Sequence, residues 1–179
     1  MKALIVIDYT LDFITGALPC GDPGIAIEDQ VVTLTNSFIN QDEYVVFAVD
    51  LHEQNDPYHP ESKLYPPHNI RGTAGRNLYG KLHEVYETHK DKDNVQWMDK
   101  TRYSAFAGTN LELKLRERGI TELHLVGVCT DICVLHTAVD AYNKGFTIVV
   151  HEQAVASFNQ AGHDWALTHF KNSLNAIIQ

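Results

Sequence analysis

Ionisable and nucleophilic residues stand at the ends of four short apolar runs of the sequence. Asp8 ends the first run, Asp50 ends the second, Lys100 follows the third, and Cys129 and Cys133 follow the fourth. A thiol attacks a carbonyl carbon when a nearby base takes its proton and a cation or backbone amides stabilise the resulting negative charge. We therefore predict nucleophilic chemistry on a carbonyl compound, with Asp8 as the base and Lys100 as the cation.

The segment from Gly127 to Cys133 passes from an apolar run into a helical pattern. Thr130 and Asp131 are candidate N-caps, which would place Cys133 in the first turn of a helix. The free amides and the dipole of a helix N-terminus favour a thiolate there. We predict Cys133 as the nucleophile and the amides of Cys129 and Cys133 as an oxyanion hole. The alternative is that Cys133 is a small buried hydrophobic residue.

A second group of polar residues begins at the end of the second run and continues into a long proline-containing segment. Asp50 and His52 are two residues apart, so they face the same side of an extended chain. Glu61 and His68 follow in a segment long enough to return to them. One Asp, two His and one Glu form a mixed nitrogen and oxygen set that suits zinc, manganese or iron(II). His59 is an alternative to Glu61 as a ligand.

The elements between these residues predict the scaffold that positions them. Residues rich in Val and Ile form strand-like runs, and stretches with helical spacing separate them. We expect a single-domain α/β protein, three layers deep (α/β/α), with a mostly parallel six-stranded sheet. The carboxyl ends of such strands share one edge, where ligands bind. The predicted strands are residues 2–8, 44–50, 95–99, 122–128, 146–150 and 174–178, and the predicted helices are residues 25–40, 78–86 and 130–143.

Composition excludes several classes of protein. The 179 residues include 14 Lys and Arg against 23 Asp and Glu, a net charge of −9, so nucleic acid and anionic membrane surfaces are not expected partners. No apolar run approaches the roughly 20 residues of a membrane span. Three cysteines argue against a disulfide framework and for a reduced, cytoplasmic setting. Signatures of dinucleotide binding and serine hydrolases are missing. A small-molecule substrate is therefore expected.

Six segments together resemble the isochorismatase-like cysteine hydrolases, and within them the nicotinamidase branch. They appear in family order along nearly the whole chain. The segments are IDYTLDF (7–13), VDLH (49–52), HPESKLYPPH (59–68), GTAGRNLY (72–79), DKTRYSAF (99–106) and GVCTDICVLHTAVDAY (127–142). The resemblance implies one hydrolase domain over residues 1–179 and the strand order 3-2-1-4-5-6.

The resemblance also implies roles for individual residues. Cys133 matches the nucleophile, Asp8 the general base and acid, and Lys100 the third member of the triad. It further implies a non-proline cis peptide between Val128 and Cys129, which turns two amides toward the oxyanion. The matches to the ligands of one divalent ion, with zinc expected ahead of manganese or iron, are Asp50, His52, Glu61 and His68, whereas other branches place a His near position 59. The matches to the aromatic residues around a pyridine ring are Phe13, Tyr65 and Tyr103.

The activity that the resemblance implies is hydrolysis of nicotinamide to nicotinate and ammonia through a cysteine thioester, in NAD salvage. Pyrazinamide is an expected second substrate, and a homo-oligomer, dimer or tetramer, is the expected assembly. The sequence departs from many relatives at Thr10 and Cys129. Two alternatives stay open: another amidase of the same superfamily, without the metal set, and a non-catalytic metal-binding or thiol redox protein in which Cys129 and Cys133 cycle as a pair.

Overall fold

Six parallel strands form the centre of the structure, a computed structural model that describes residues 1–179. Their order in the sheet is β3-β2-β1-β4-β5-β6, and every adjacent pair is parallel. The predicted α/β fold and strand order are confirmed. The strands are β1 (Lys2–Ile7), β2 (Tyr44–Asp50), β3 (Val95–Lys100), β4 (Glu122–Val128), β5 (Thr147–Ala156) and β6 (Ile177–Ile178).

Helices cover both faces of this sheet. The two apolar clusters of the core lie on opposite faces because successive strand residues point to opposite sides: Ile5 belongs to one cluster and Leu4 to the other. Burial on both faces explains why β1 and β2 are near-continuous apolar runs. The helices are α1 (Leu11–Ile14), α2 (Asp22–Ala26), α3 (Glu28–Asn40), α4 (Gly80–His89), α5 (Leu111–Glu117), α6 (Leu135–Asn143) and α7 (Gln160–Leu174). None of them has the length and apolar character that crossing a membrane requires.

Several element boundaries differ from the prediction. The segment predicted as one helix over residues 25–40 forms two helices, α2 and α3, which meet at Ile27. Helix α2 is held in place by the Tyr9 hydroxyl, which donates to the carbonyl of Gly24 (2.7 Å). Of the strand predicted for residues 174–178, only Ile177–Ile178 is strand (β6), since Leu174 is the last residue of α7 and packs into the core. Helices α5 and α7 were not predicted.

One glycine permits the close approach of β4 to β1 beside the candidate site. Gly127 has φ = 113°, and a Cβ atom there would lie 2.0 Å from the carbonyl oxygen of Ile7. Only glycine fits this contact without moving backbone. The carboxyl ends of β1 and β4 are thereby brought together just where Asp8 and Cys129 follow them.

Candidate active site

Asp8, Lys100 and Cys133 meet at the carboxyl edge of the sheet. Lys100 Nζ lies 2.7 Å from Asp8 Oδ2 and 3.7 Å from Cys133 Sγ. The other oxygen of Asp8 accepts a hydrogen bond from the backbone N–H of Asp50 (2.8 Å). All three side chains are almost fully buried. The structure therefore brings together the three residues that were predicted as a triad from three separate strand ends.

The backbone is irregular at Asp8 and in the segment that carries Cys133. Asp8 has φ = 53°, a left-handed conformation that turns its side chain out of the β1 direction. The peptide bond between Val128 and Cys129 is cis, as the resemblance implied. Residues Thr130–Val134 then form a single π-helical turn that leads into α6 and carries Cys133. Such turns are frequent at functional sites.

Burial and mutual charge set the protonation of the triad. Burial raises the pKa of Asp8 to about 6, although Lys100 opposes the shift. Burial would lower the pKa of Lys100, but the charges of Asp8, Cys133 and Asp50 raise it above its usual value. The pKa of Cys133 is raised well above its usual value, first by burial and then by the carboxylates, against the influence of Lys100. Burial and the nearby carboxylates thus favour the neutral thiol, and the Asp8 carboxylate lies beside it.

One prediction about the Cys133 turn is wrong. The N-cap is Cys129 and no side chain caps the turn, because Thr130 bonds to His163 and Asp131 accepts from Ser157. The pKa of Cys133 shifts in the direction opposite to the one that a helix N-terminus favours, because the thiol is buried beside negative charges.

Four residues next to the triad form the one group of side chains suited to a metal ion. Asp50, His52, Glu61 and His68 are buried, and each offers a ligand atom within 4.8 Å of the others. His52 Nε2 lies 2.6 Å from Asp50 Oδ2, and His68 Nε2 lies 3.7 Å from the same oxygen and 3.6 Å from Glu61 Oε2. This is the set predicted from the sequence.

The state of His68 fits a cation at this position. Its Nδ1 lies 2.7 Å from the carbonyl of Pro66, which makes Nδ1 the protonated nitrogen and directs Nε2 at the two carboxylates. Nε2 is buried without a hydrogen bond. Burial would lower the pKa of His68, but interactions with Asp50 and Glu61 raise it to about 10. A proton or a metal cation satisfies this nitrogen, and the donor set suits a borderline divalent ion.

His59, the alternative ligand, lies beside the group but uses both ring nitrogens elsewhere. Its Nδ1 accepts a hydrogen bond from the N–H of Glu61 (3.3 Å), which leaves Nε2 to donate to the carbonyl of Thr101 (2.8 Å). The centroid of its ring lies 4.1 Å from that of His52, and the two rings are tilted by 51°. His59 thus caps the 3-10 turn Pro60–Lys63, which presents Glu61 to the group.

A narrow apolar cavity lies between the thiol and the metal-binding group. Cys133 and Glu61 both line it. The three aromatic residues predicted around a ring, Phe13, Tyr65 and Tyr103, form part of its wall. Phe13 and Tyr65 also approach His68, with ring centroids 5.1 and 6.3 Å away. Its apolar and aromatic lining suits a flat ring.

The same wall contains residues that the sequence analysis did not select: Leu18, Ile132 and Phe158. Ile132 immediately precedes Cys133 in the segment Gly127–Cys133, so its position next to the predicted nucleophile could have identified it as a wall residue. Phe158 follows the carboxyl end of β5, and the strand-end argument would have found it had β5 been predicted to its full length. Leu18 follows α1 in a turn, where no pattern marks it.

Cys129 has a different thiol neighbour from the one considered above. Its pKa is raised, first by a hydrogen bond with the Cys20 thiol and then by burial, and the same bond lowers the pKa of Cys20. All three cysteines are free. Cys20 is thus the first influence on the pKa of Cys129, whereas burial, Lys100 and Asp8 set that of Cys133.

Comparison with known proteins agrees with this geometry. The isochorismatase domain model matches residues 2–179, and the chain belongs to the isochorismatase family. It is 67% identical to the isochorismatase family protein PncA of Bacillus subtilis (strain 168), over 99% of this chain and 98% of that protein.

Solved structures extend the likeness. The structure of the nicotinamidase/pyrazinamidase PncA from Bacillus subtilis superposes with a TM-score of 0.98 at 66% identity, covering 99% of this chain and 98% of that one. The pyrazinamidase/nicotinamidase of Streptococcus mutans UA159 gives 0.98 at 50% identity over the whole of both chains. The pyrazinamidase of Pyrococcus horikoshii in complex with zinc gives 0.86 at 28% identity, covering 99% and 98%.

Proposed function

We propose that the protein is a nicotinamidase that hydrolyses nicotinamide to nicotinate and ammonia and serves NAD salvage, and that it also accepts pyrazinamide. One observation carries the proposal: a single apolar cavity is lined by the buried thiol of Cys133 at one place and by Glu61 of the metal-binding group at another. A pyridine ring in that cavity can place its carboxamide at the thiol and its ring nitrogen at the cation. The relatives named nicotinamidase support the same substrate.

The proposed reaction begins at the thiol. Asp8 takes the proton from Cys133 Sγ, and the sulfur attacks the carboxamide carbon. The amides of Cys129 and Cys133 stabilise the oxyanion, while Lys100 stabilises negative charge on Asp8 and the sulfur. Asp8 returns its proton to the nitrogen as the C–N bond breaks and ammonia leaves. Water, deprotonated by Asp8, then attacks the thioester carbon, and nicotinate and the Cys133 thiol are released.

The metal-binding residues serve binding in this scheme. Asp50, His52, Glu61 and His68 would hold one divalent ion, which we propose to be zinc because of the nitrogen and oxygen donor set and the zinc complex of the Pyrococcus relative. When bound, the ion supplies an electrophilic site for the ring nitrogen and so positions the ring. Phe13, Tyr65 and Tyr103 would enclose the ring and exclude water from the thioester.

Ammonia release tests the proposal directly. Wild-type protein with Zn²⁺ should release ammonia from nicotinamide, and Cys133→Ala should lower kcat by at least about 1,000-fold because the nucleophile is lost. Cys20→Ala, a buried cysteine outside the triad, is the matched control and should keep most of the activity. Near-normal turnover by Cys133→Ala would show that the nucleophile is assigned wrongly.

The same assay separates the alternatives. An amidase for carbamoyl or ureido substrates should prefer those compounds and be indifferent to chelation, whereas the buried metal-binding group argues for a metal-dependent enzyme. A redox protein cycling Cys129 with Cys133 should form a disulfide readily and release no ammonia. We further propose that residues 1–179 form one hydrolase domain, that the protein is cytoplasmic, and that it assembles as a dimer or tetramer; light scattering measures the assembly.

A further inference from the structure

Arg76 belongs to the segment GTAGRNLY, which the proposed reaction leaves without a task. The residue ends the 3-10 turn Ala74–Arg76 and points its side chain at the carboxyl edge of the sheet. Arg76 Nε donates to the carbonyl oxygen of Asp50 (2.9 Å), and Nη2 lies 2.6 Å from Asp99 Oδ1. The side chain is only 13% exposed. A charged group buried to this degree with two specific acceptors is fixed in position.

These two acceptors stand beside the residues of the active site. Asp50 and Lys100 are direct partners in the register of β2 and β3, and Asp99 immediately precedes Lys100. The guanidinium therefore joins the ends of both strands on the side opposite the Lys100 side chain. The backbone N–H of Asp50 also donates to Asp8 Oδ1, so movement of the β2 end would reach the proposed general base.

The contacts around Arg76 restrict it further. Trp97 Nε1 donates to the same oxygen of Asp99 (2.8 Å), and the guanidinium lies over the Trp97 ring, 5.7 Å from its centroid. The turn itself is pressed onto α1, because a Cβ atom at Gly75 would come 2.1 Å from Asp12 Oδ2. With the turn fixed on one side and Asp99 fixed on the other, Arg76 has little freedom to release the Asp50 carbonyl.

We infer that Arg76 is a positioning residue, which sets the geometry between the metal ligand Asp50 and the triad residue Lys100 by binding the Asp50 carbonyl and the Asp99 carboxylate. This inference rests on the proposed function. Arg76 is neither a member of the metal-binding group nor a wall residue of the cavity at Cys133. Its loss should loosen the ends of β2 and β3, misplace the Asp50 carboxylate and weaken both metal binding and catalysis.

The test compares Arg76→Met and Arg76→Lys with Arg71→Met. Arg71 is the matched control because it is also an arginine that makes an ion pair, with Glu53 (2.7 Å), but both of these side chains are more than half exposed. Affinity for Zn²⁺ is measured on the metal-depleted full chain by competition with a chromogenic chelator. The values of kcat and KM for nicotinamide are then measured at saturating Zn²⁺, and Tm is recorded for each variant.

Arg76→Met should bind Zn²⁺ about 10- to 100-fold more weakly and lose kcat by a similar factor, with a smaller change in KM. Arg76→Lys keeps the charge but not the forked donor geometry, so it should recover part of both losses. Arg71→Met should stay within about twofold of wild type. A folded Arg76→Met with wild-type Zn²⁺ affinity and kcat overturns the inference, and so does a lower Tm with both values unchanged.

If Arg76→Met does not fold, Asp99→Asn decides the matter, because it weakens the hold on Arg76 at an exposed residue. It should reduce Zn²⁺ affinity and kcat several-fold, and unchanged values overturn the inference. Failure of the proposed function has a different signature. Wild-type protein would then release no ammonia from nicotinamide, while the comparison of Zn²⁺ affinities among the variants would still test the role of Arg76.

Discussion

Lys100 Nζ lies 2.7 Å from Asp8 Oδ2, and both side chains are sealed from solvent. Cys133 Sγ is 3.7 Å from the same nitrogen, on a wall of the apolar cavity. The pair is therefore a structural element of the sheet edge and, in the proposed reaction, also activates the thiol. The two tasks can be separated by substitution.

Replacing one partner should cost stability as well as activity. In Zn²⁺-loaded Lys100→Met, Asp8 stays buried without its counter-charge, and the free energy of unfolding should fall by about 3–5 kcal/mol. The double variant Asp8→Asn/Lys100→Met removes both charges of this pair, and the bound ion remains as the counter-charge of Asp50, whose Oδ1 lies 3.6 Å from Lys100 Nζ in the wild type. It should therefore recover most of the stability while remaining inactive. Urea unfolding and ammonia release measure the two effects. Equal stability of the two variants would contradict a buried ion pair.

Asp8→Asn should uncouple thiol reactivity from turnover. The carboxylate raises the pKa of Cys133, so its removal beside Lys100 should lower that pKa and speed alkylation of the thiol by iodoacetamide near neutral pH. Turnover should nevertheless fall about 100- to 10,000-fold, because no group remains to protonate the departing nitrogen.

Peptide mass mapping assigns the alkylated cysteine in that experiment, and Cys20 and Cys129 serve as internal references. A variant that loses both alkylation and turnover would indicate that Asp8 chiefly positions Cys133. A variant that keeps turnover would remove Asp8 from the reaction.

Much of the fold was predictable because burial on two faces leaves a strong mark in the sequence. Strands β1, β2 and β4 are continuous apolar runs, and their bounds were predicted to within a residue. Helix α7 was not predicted because only three of its residues are buried, Ala166, Phe170 and Leu174, and so few buried positions give a weak helical pattern. The strand order came from resemblance, since local patterns carry no information about which strands become neighbours.

The candidate site was predictable at strand ends and less so elsewhere. Asp8, Asp50 and Lys100 end or follow strands, so topology alone places them at one edge. The protonation of Cys133 was not predictable, because it depends on how deeply the thiol is buried and on which charges face it. Arg76 was invisible for a similar reason: its contacts join residues far apart in the chain, and neither composition nor spacing marks them.

Substitution of two neighbouring histidines should distinguish a metal ligand from a structural residue. His68→Gln removes a nitrogen directed at Asp50 and Glu61, so Zn²⁺ affinity should drop by at least about 100-fold. His59→Gln removes a nitrogen that already accepts from a backbone N–H, so the drop should be about 10-fold or less. Chelator competition measures both. A larger effect at His59 would reassign the fourth ligand and exclude Glu61.

A histidine pair on the sheet, distant from the triad in the fold, should make the protein sensitive to acid. His124 Nδ1 and His151 Nε2 lie 2.8 Å apart, and burial lowers the pKa of both rings, that of His151 to about 4. The positive charge of Lys2 adds to this shift on both rings, whereas Glu122 and Glu43 oppose it at His124.

The sign of the effect follows from these lowered pKa values. Well above pH 6.5 both histidines are neutral in the folded and unfolded chains, so they add no pH dependence. As the pH falls through 6.5 toward 4, the unfolded chain binds a proton at His151 that the folded chain does not bind, and stability is lost. The loss should reach about 1–2 kcal/mol by pH 4, allowing for solvent screening of a half-buried ring.

His151→Gln removes the titrating group and keeps a polar side chain at the same position. Between pH 7 and pH 4 the variant should lose less stability than wild type in urea unfolding, and the two curves of unfolding free energy against pH should converge or cross as the pH falls. His83→Gln, a substitution on the half-exposed surface of α4, is the control and should follow wild type. Parallel curves for His151→Gln and wild type would mean that the pair is protonated equally in both states.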